Sequence, residues 1–129
     1  MDDSPVVLVV EDEALIHYMI EDTLAEGGYA AVFASSGERA VELLRAKDQT
    51  FRALLTDINL GRGKLAGWDV ARHAREINPK LPVVYMTGDS GHEWAAQGVP
   101  NSLLLSKPFA SAQMLTAVSE LINEATSSV

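Results

Sequence analysis

The chain of 129 residues has the size of one ordinary domain, and its apolar share of 47% is enough to bury a core. Its 18 acidic residues outnumber its 10 basic residues, which gives a formal net charge of -8. Such a surface repels phosphate backbones and anionic lipid, which argues against nucleic acid and membranes as partners. The chain contains no cysteine, which excludes disulfides, thiolate zinc sites and a cysteine nucleophile. With an acidic N-terminus and no long apolar run, we expect a cytoplasmic protein.

Five short apolar runs predict β-strands. The first run, Val6–Val10, is unbroken and consists mostly of β-branched valine, which is typical of a strand buried on both faces of a parallel sheet. In chain order, the predicted strands are residues 6–10, 30–34, 52–56, 82–86 and 102–106. Each run is far shorter than a membrane-spanning helix requires.

Helical periodicity occupies the segments between these strands. The clearest helix is residues 67–77, in which Trp68, Ala71 and Ala74 recur at steps of three residues before Asn78-Pro79 ends the pattern. The first helix is predicted over residues 13–27. Its apolar stripe is predicted to consist of Leu15, Ile16, Met19, Ile20 and Leu24.

Caps and breakers define the remaining helices. Ser35 or Ser36 is expected to cap the second helix, and the last helix is predicted to include residues 114–125. Pro100 and the breakers on either side of it indicate that the fourth helix is short or irregular. Trp94 is then either a core residue of the fourth helix or an exposed anchor for a partner protein, and the irregular segment favours the anchor.

Strands alternating with helices predict an α/β domain with a parallel sheet and helices on both faces. Right-handed crossovers then favour a doubly wound, five-stranded sheet in the order 2-1-3-4-5. We expect residues 1–129 to form a single domain, with no second domain attached. In open parallel sheets, ligands bind beyond the carboxyl ends of the strands, near the point where the strand order reverses.

Charged and polar side chains follow four of the predicted strands. Glu11 and Asp12 follow the first strand, Asp57 the third, Thr87 the fourth and Lys107 the fifth. Because the first and third strands are predicted neighbours, three carboxylates are expected to converge beside one hydroxyl and one ammonium group. The sequence therefore predicts a polar site at this edge of the sheet.

The predicted site suits phosphoryl transfer onto a carboxylate. Three clustered carboxylates repel one another unless a cation is present, and oxygen ligands with open positions suit Mg²⁺. Asp57 is the best candidate nucleophile, because it is the single acid of the central strand, and Glu11 and Asp12 would hold the metal. Lys107 would offset charge on the transferring oxygens, and the Thr87 hydroxyl would bind the product.

Four motifs in this order give the chain a family resemblance. They are Glu11-Asp12, Asp57, Thr87-Gly88 and Lys107-Pro108-Phe109. Together they resemble the receiver domain of bacterial two-component response regulators, over nearly the whole chain. The resemblance implies a flavodoxin-like (βα)5 fold and a single-domain receiver without an output domain.

The resemblance also implies how the site works. Asp57 would accept a phosphoryl group from the histidine of a sensor kinase. Mg²⁺ would be held by Asp12, by Asp57, by the main-chain carbonyl of Asn59 and, through water, by Glu11. Such a chain is a phosphoacceptor with slow self-dephosphorylation rather than a turnover enzyme.

The resemblance assigns the switch to residues on the neighbouring strands. Thr87 and Lys107 would grip the phosphoryl group, and a cis peptide bond before Pro108 would aim Lys107 inward. The surface that responds would be the face of the fourth helix, fifth strand and fifth helix. A downstream protein or phosphotransfer partner would bind there, so that the chain signals, relays phosphate or drains it from a kinase.

The sequence departs from the family pattern in two places. The loop after Asp57 is longer than usual, and Gly61 replaces the usual proline, which predicts a more mobile loop. Leu104 stands where the family commonly has a tyrosine or phenylalanine whose ring moves inward with the threonine. Leucine has no ring to move, so we expect the output surface to respond differently.

Two alternatives remain open from the sequence. One is a binding module of receiver fold that acts without phosphorylation, and Leu104 is its best support. The other is a hydrolase with an aspartyl-phosphate intermediate, which usually has a general-acid aspartate two residues after the nucleophile. That position here is Asn59, which disfavours the hydrolase.

Overall fold

A computed structural model describes residues 4–61, 63–89 and 91–127, in which strands and helices alternate. In chain order the elements are β1 (Val6–Val10), α1 (Ala14–Glu26), β2 (Ala30–Ala34), α2 (Gly37–Ala46), β3 (Phe51–Asp57), α3 (Gly67–Ile77), β4 (Val83–Thr87), α4 (Trp94–Gln97), β5 (Ser102–Ser106) and α5 (Ser111–Ser127). A 3₁₀ turn, Gly91–Glu93, precedes α4. None of the helices in this described part of the chain combines the length and hydrophobicity needed to cross a bilayer.

The five strands form one parallel sheet in the order β2-β1-β3-β4-β5, which confirms the predicted topology. β1 and β3 are hydrogen-bonded neighbours, with Val10 opposite Thr56. The last residue of β3, Asp57, lies opposite Met86, and Thr87 at the end of β4 lies opposite Ser106. The carboxyl ends of these strands therefore meet at one edge of the sheet.

The sheet has a hydrophobic core on each face. Leu8 and Val10 point to the face covered by α2 and α3, whereas Val7 and Val9 point to the face covered by α1 and α5. This alternation follows from the two-residue period of a strand, and it explains why the β1 run is apolar throughout. Both faces are buried, so β1 and β3 hold their terminal residues in fixed positions.

The predicted apolar stripe of α1 is wrong at two positions. Ile20 and Leu24 are fully buried, but Leu15 is 85% exposed and Met19 is 41% exposed. Each exposed residue precedes Ile16 or Ile20 by one position, which is a rotation of about 100° around the helix. Periodicity located the buried face but overestimated its width.

The fourth helix is short, as predicted from Pro100, but Trp94 is not an exposed anchor. α4 has four residues, and the half-buried Trp94 packs against the core on the α2 and α3 face. Its indole Nε1–H donates a hydrogen bond to Ser102 Oγ at 3.0 Å. A Cβ atom on Gly98 would lie 2.8 Å from that Nε1 atom, so the chain closes tightly around the ring. Trp94 therefore fixes the segment before β5.

Candidate functional site

Three carboxylates meet at the carboxyl ends of β1 and β3. One oxygen from each of Glu11, Asp12 and Asp57 lies within 4.8 Å of the other two. Glu11 is fully buried and Asp57 is 7% exposed, while Asp12 is partly exposed. The arrangement follows from the topology, because β1 and β3 are adjacent and end at the same edge of the sheet.

Several contacts fix Glu11. Its main-chain N–H donates to the carbonyl of Ala34 at 3.1 Å, and its Oε1 accepts the N–H of Glu13 at 3.2 Å. The Nε2 atom of His17 donates to the main-chain carbonyl of Glu11 at 2.6 Å, and the imidazole stacks on Phe33 with centroids 4.4 Å apart. No sequence pattern indicated this supporting role of His17, because the contact depends on how α1 leaves the sheet.

Lys107 bridges two of the carboxylates. Its Nζ donates to Glu11 Oε2 at 3.0 Å and to Asp57 Oδ2 at 3.2 Å. Its main-chain N–H donates to the carbonyl of Thr87 at 2.7 Å, which ties the end of β5 to the end of β4. The peptide bond between Lys107 and Pro108 is cis. Lys107 thus places its ammonium group in contact with two of the three clustered acids, Glu11 and Asp57.

Burial and neighbouring charges shift the pKa values of Glu11, Asp57 and Lys107. Burial raises the pKa of Glu11 and of Asp57 above the ordinary carboxyl values, and Lys107 opposes the shift at both. The nearby charge of Asp57 adds to the shift at Glu11, and that of Asp12 adds to the shift at Asp57. Burial acts to lower the pKa of Lys107, but its hydrogen bonds and ion pairs with Glu11 and Asp57 outweigh burial and raise it.

Asp12 and Asn59 connect the carboxylates to the loop after β3. Asp12 Oδ2 accepts the main-chain N–H of Gly61 at 3.1 Å. The side-chain amide of Asn59 donates to Asp89 Oδ1 at 3.0 Å, so it links this loop to the turn after β4. Asn59, whose main-chain carbonyl is predicted to supply a metal ligand, also borders the open cleft over the acids.

Thr87 is 2% exposed, and its Oγ1 accepts the main-chain N–H of Asp89 at 3.2 Å. A Cβ atom on Gly91 would lie 3.1 Å from Leu104 Cδ2 and 3.5 Å from Thr87 Cγ2. Thr87 and Leu104 therefore approach the same glycine from two strands. The leucine fills part of the space beside the threonine.

An open cleft of about 660 Å³ lies over the acids. Residues that border it include Asp12, Asp57, Asn59, Gly88, Asp89 and Lys107. The side-chain oxygens that converge here belong to carboxylates, and the cleft leaves room for water molecules or for an anionic ligand. This donor set fits a hard divalent cation that keeps part of its water shell.

Comparisons with known proteins agree on one family. The family model of the response regulator receiver domain matches residues 7–119. The structure resembles that of a response regulator receiver protein from Sinorhizobium medicae, with a TM-score of 0.90 and 41% identity, covering 95% of this chain and 98% of that one.

Two further relatives are a sensor kinase and the receiver domain of another sensor kinase. The chain is 30% identical over 88 residues to the autoinducer 1 sensor kinase/phosphatase LuxN of Vibrio campbellii, a match that covers 68% of this chain and 10% of the kinase. The chain thus spans about a tenth of that relative's length. It is also similar to the receiver domain of a sensor histidine kinase from Pseudomonas aeruginosa, with 25% identity, a TM-score of 0.78 and coverage of 93% and 98%. That structure has a magnesium ion coordinated in its active site cleft.

Proposed function

Because the chain belongs to the response regulator receiver domain family, we propose that Asp57 accepts a phosphoryl group from a sensor histidine kinase. The observation that carries this proposal is the contact of Asp57 Oδ2 with the Lys107 ammonium at 3.2 Å, within a cluster that includes Glu11 and Asp12. Asp57 ends the central strand, close to Glu11 and Asp12 and in contact with the Lys107 ammonium, which supports its assignment as the acceptor.

The transfer itself is a displacement at phosphorus. A carboxylate oxygen of Asp57 forms the new O–P bond, and the P–N bond to the donor imidazole breaks with its electron pair left on nitrogen. Lys107 offsets negative charge on the phosphoryl oxygens from the side of β5. The hydroxyl of Thr87, which now accepts from Asp89, is proposed to turn toward the phosphoryl group once it is bound.

We propose Mg²⁺ as the cation of this site. Asp12, Asp57 and the main-chain carbonyl of Asn59 would hold it directly, and Glu11 would hold it through water. Bound there, it would neutralise charge on the phosphoryl oxygens. The carboxylate cluster supports this assignment, and so does the magnesium ion in the cleft of the related Pseudomonas aeruginosa receiver domain.

The proposed role is signalling in the cytoplasm rather than enzymatic turnover. The phosphorylated chain would hydrolyse its own acyl phosphate slowly, and its partner would be a downstream protein or phosphotransfer domain. We place the partner contact on the face of α4, β5 and α5, next to Thr87 and Lys107. There the chain could pass phosphate on or drain it from a kinase.

Intact-mass spectrometry after incubation with acetyl phosphate and Mg²⁺ tests the proposal. Wild type is expected to gain the mass of one phosphoryl group, and Asp57→Asn to gain none. Asp22→Asn, an exposed acid on α1, serves as the matched control and is expected to be labelled like wild type. An unlabelled wild type, or a label that persists in Asp57→Asn, would refute the proposal.

A binding module that works without phosphorylation is the second candidate, and Leu104 favours it. This leucine and Thr87 both approach Gly91, but leucine has no ring that could follow the threonine inward. The candidate predicts that affinity for a partner protein is the same with and without beryllofluoride, a phosphoryl mimic. A change in affinity on adding beryllofluoride would reject it.

A further inference from the structure

The loop between β3 and α3 forms one wall of the cleft, and two carboxylates hold it from opposite sides. We call its described residues, 58–61 and 63–66, the cleft loop. On the inner side, Asp12 accepts the N–H of Gly61 at 3.1 Å. On the outer side, Glu38 Oε2 accepts the N–H of Lys64 at 2.7 Å and the N–H of Leu65 at 3.3 Å.

The carboxylate of Glu38 packs tightly against the cleft loop. Glu38 lies in the first turn of α2, and a Cβ atom on Gly63 would overlap its carboxylate. Gly63 also has a φ of 77°, a conformation that glycine adopts readily. A Cβ atom on Gly37 would lie 2.8 Å from Leu65 Cβ, so the start of α2 packs directly against the loop.

The N–H groups of Lys64 and Leu65, which donate to Glu38, are not paired within the sheet, because the cleft loop lies beyond the end of β3. The N–H of the next residue, Ala66, is accepted by Asp69 Oδ2 at 2.9 Å. Hydrogen bonding from the main-chain N–H of Lys64, the largest effect, lowers the pKa of Glu38 below the ordinary carboxyl value, as expected for an ionised carboxylate that accepts backbone N–H groups. Side-chain carboxylates thus replace backbone pairing along this end of the loop.

We propose that Glu38 is a positioning residue for the cation site, acting through the cleft loop and Gly61 on Asp12. The glycines at 61 and 63 allow the loop many conformations, so its ordering has an entropic cost that must be offset by contacts. Glu38 fixes the far end of the loop, which keeps the Gly61 N–H where it can orient the Asp12 carboxylate. This inference rests on the proposed function, because it assigns the Asp12 carboxylate to a cation.

The test compares Glu38→Ala, Glu38→Gln and Glu42→Ala in the full chain. Glu42 is the matched control, because it lies one turn further along α2, is exposed, and pairs with the exposed Arg39 at 3.0 Å. The two measurements are Mg²⁺ affinity by isothermal titration calorimetry and amide hydrogen exchange at Lys64 and Leu65 by NMR. The second measurement reports on the loop without any cation or phosphoryl group.

Glu38→Ala is expected to weaken Mg²⁺ binding about tenfold, at the lower end of the effect of residues that orient metal ligands. It is also expected to speed amide exchange at Lys64 and Leu65. Glu38→Gln keeps an acceptor oxygen, and since neutral acceptors are weaker than charged ones it should bind within about threefold of wild type. Glu42→Ala should match wild type in both measurements.

The inference is overturned if Glu38→Ala binds Mg²⁺ like Glu42→Ala, whether or not its loop amides exchange faster. It is also overturned if Glu38→Gln binds Mg²⁺ as weakly as Glu38→Ala, since the charge at the start of α2 would then matter rather than the acceptor oxygen. A wild type that binds no Mg²⁺ would overturn it as well. Its failure can be told apart from that of the proposed function. A wild type that binds Mg²⁺ but takes no phosphoryl group refutes phosphorylation and leaves the effect of Glu38 measurable.

Discussion

The ammonium of Lys107 lies 3.2 Å from the carboxylate of Asp57, although Lys107 directly follows β5 and Asp57 ends β3, and β4 lies between these two strands. The contact is possible because the main-chain N–H of Lys107 is bonded to the carbonyl of Thr87, at the end of that intervening strand. From there the side chain extends over β4 to reach both Asp57 and Glu11. Lys107 therefore serves as the counter-ion of two buried acids.

Replacing Lys107 by methionine tests this counter-ion role. Without divalent cations, Lys107→Met should lower the free energy of unfolding by about 1–3 kcal/mol, less than for a fully buried pair because the lysine side chain is 22% exposed. Saturating Mg²⁺ should restore part of the loss, since a bound cation replaces the missing charge. Urea denaturation with EDTA and with Mg²⁺ measures both effects. Lys80→Met, at an exposed lysine, is the control, and an equal loss in the two variants would contradict the role.

The raised pKa of Asp57 predicts a pH dependence of stability. The native carboxyl keeps its proton at pH values where the unfolded chain has lost it, so its contribution is full below the unfolded pKa, about 4. The contribution is lost as the pH rises through the raised native pKa. Asp57→Asn has no such proton, so with EDTA its free energy of unfolding should increase relative to wild type between about pH 4 and neutral pH.

Urea denaturation at a series of pH values measures this difference. Adding Mg²⁺ to wild type should reduce or reverse its decline with pH, because the cation stabilises the ionised carboxylate. Parallel pH profiles of wild type and Asp57→Asn in EDTA would show that burial of Asp57 does not perturb its ionisation.

Gly67 is required where α3 begins, because it lies against the end of β3. A Cβ atom there would overlap the main-chain carbonyl oxygen of Asp57 and lie 2.9 Å from the Cα of Ile58. Gly67→Ala should therefore lower the free energy of unfolding by about 1–3 kcal/mol and slow labelling by acetyl phosphate, because the end of β3 must move. Gly88→Ala is the control for stability, since nothing lies within 4 Å of a Cβ atom on Gly88. Asp22→Asn, on the exposed side of α1, is the control for labelling, because Gly88 borders the cleft. Stability and labelling of Gly67→Ala equal to those of the controls would mean that α3 shifts without disturbing Asp57.

The hydroxyl of Tyr85 fixes the segment before β5. Tyr85 is fully buried, its ring lies 4.7 Å from that of Trp68, and its oxygen accepts the N–H of Val99 at 3.1 Å. Tyr85→Phe keeps the ring contact but leaves that N–H without its acceptor, which should cost about 1–2 kcal/mol and speed amide exchange at Val99. Tyr18→Phe, at a side chain that is 72% exposed, should change neither quantity. Unaltered exchange at Val99 in Tyr85→Phe would contradict this role.

Local patterns were sufficient for the fold. The apolar runs predicted all five strands, although β3 is one residue longer at each end, at Phe51 and Asp57, and β4 is shifted by one residue to Val83–Thr87. The rule that ligands bind at strand ends then identified the acids that the structure brings together. Periodicity failed at Leu15 and Met19, because it does not show how wide the buried face of a helix is. The sequence also did not show in which direction the indole ring of Trp94 points from its short helix.

The sequence by itself determined the order of the elements, the sheet topology and the side chains at its carboxyl edge. These features follow from residue type and spacing, since strand and helix periods are fixed by backbone geometry. Only the tertiary structure decided that His17 supports Glu11, that Gly61 donates to Asp12 and that Glu38 holds the cleft loop. Such contacts depend on main-chain direction and rotamer to within a few tenths of an ångström, and no pattern along the chain encodes them.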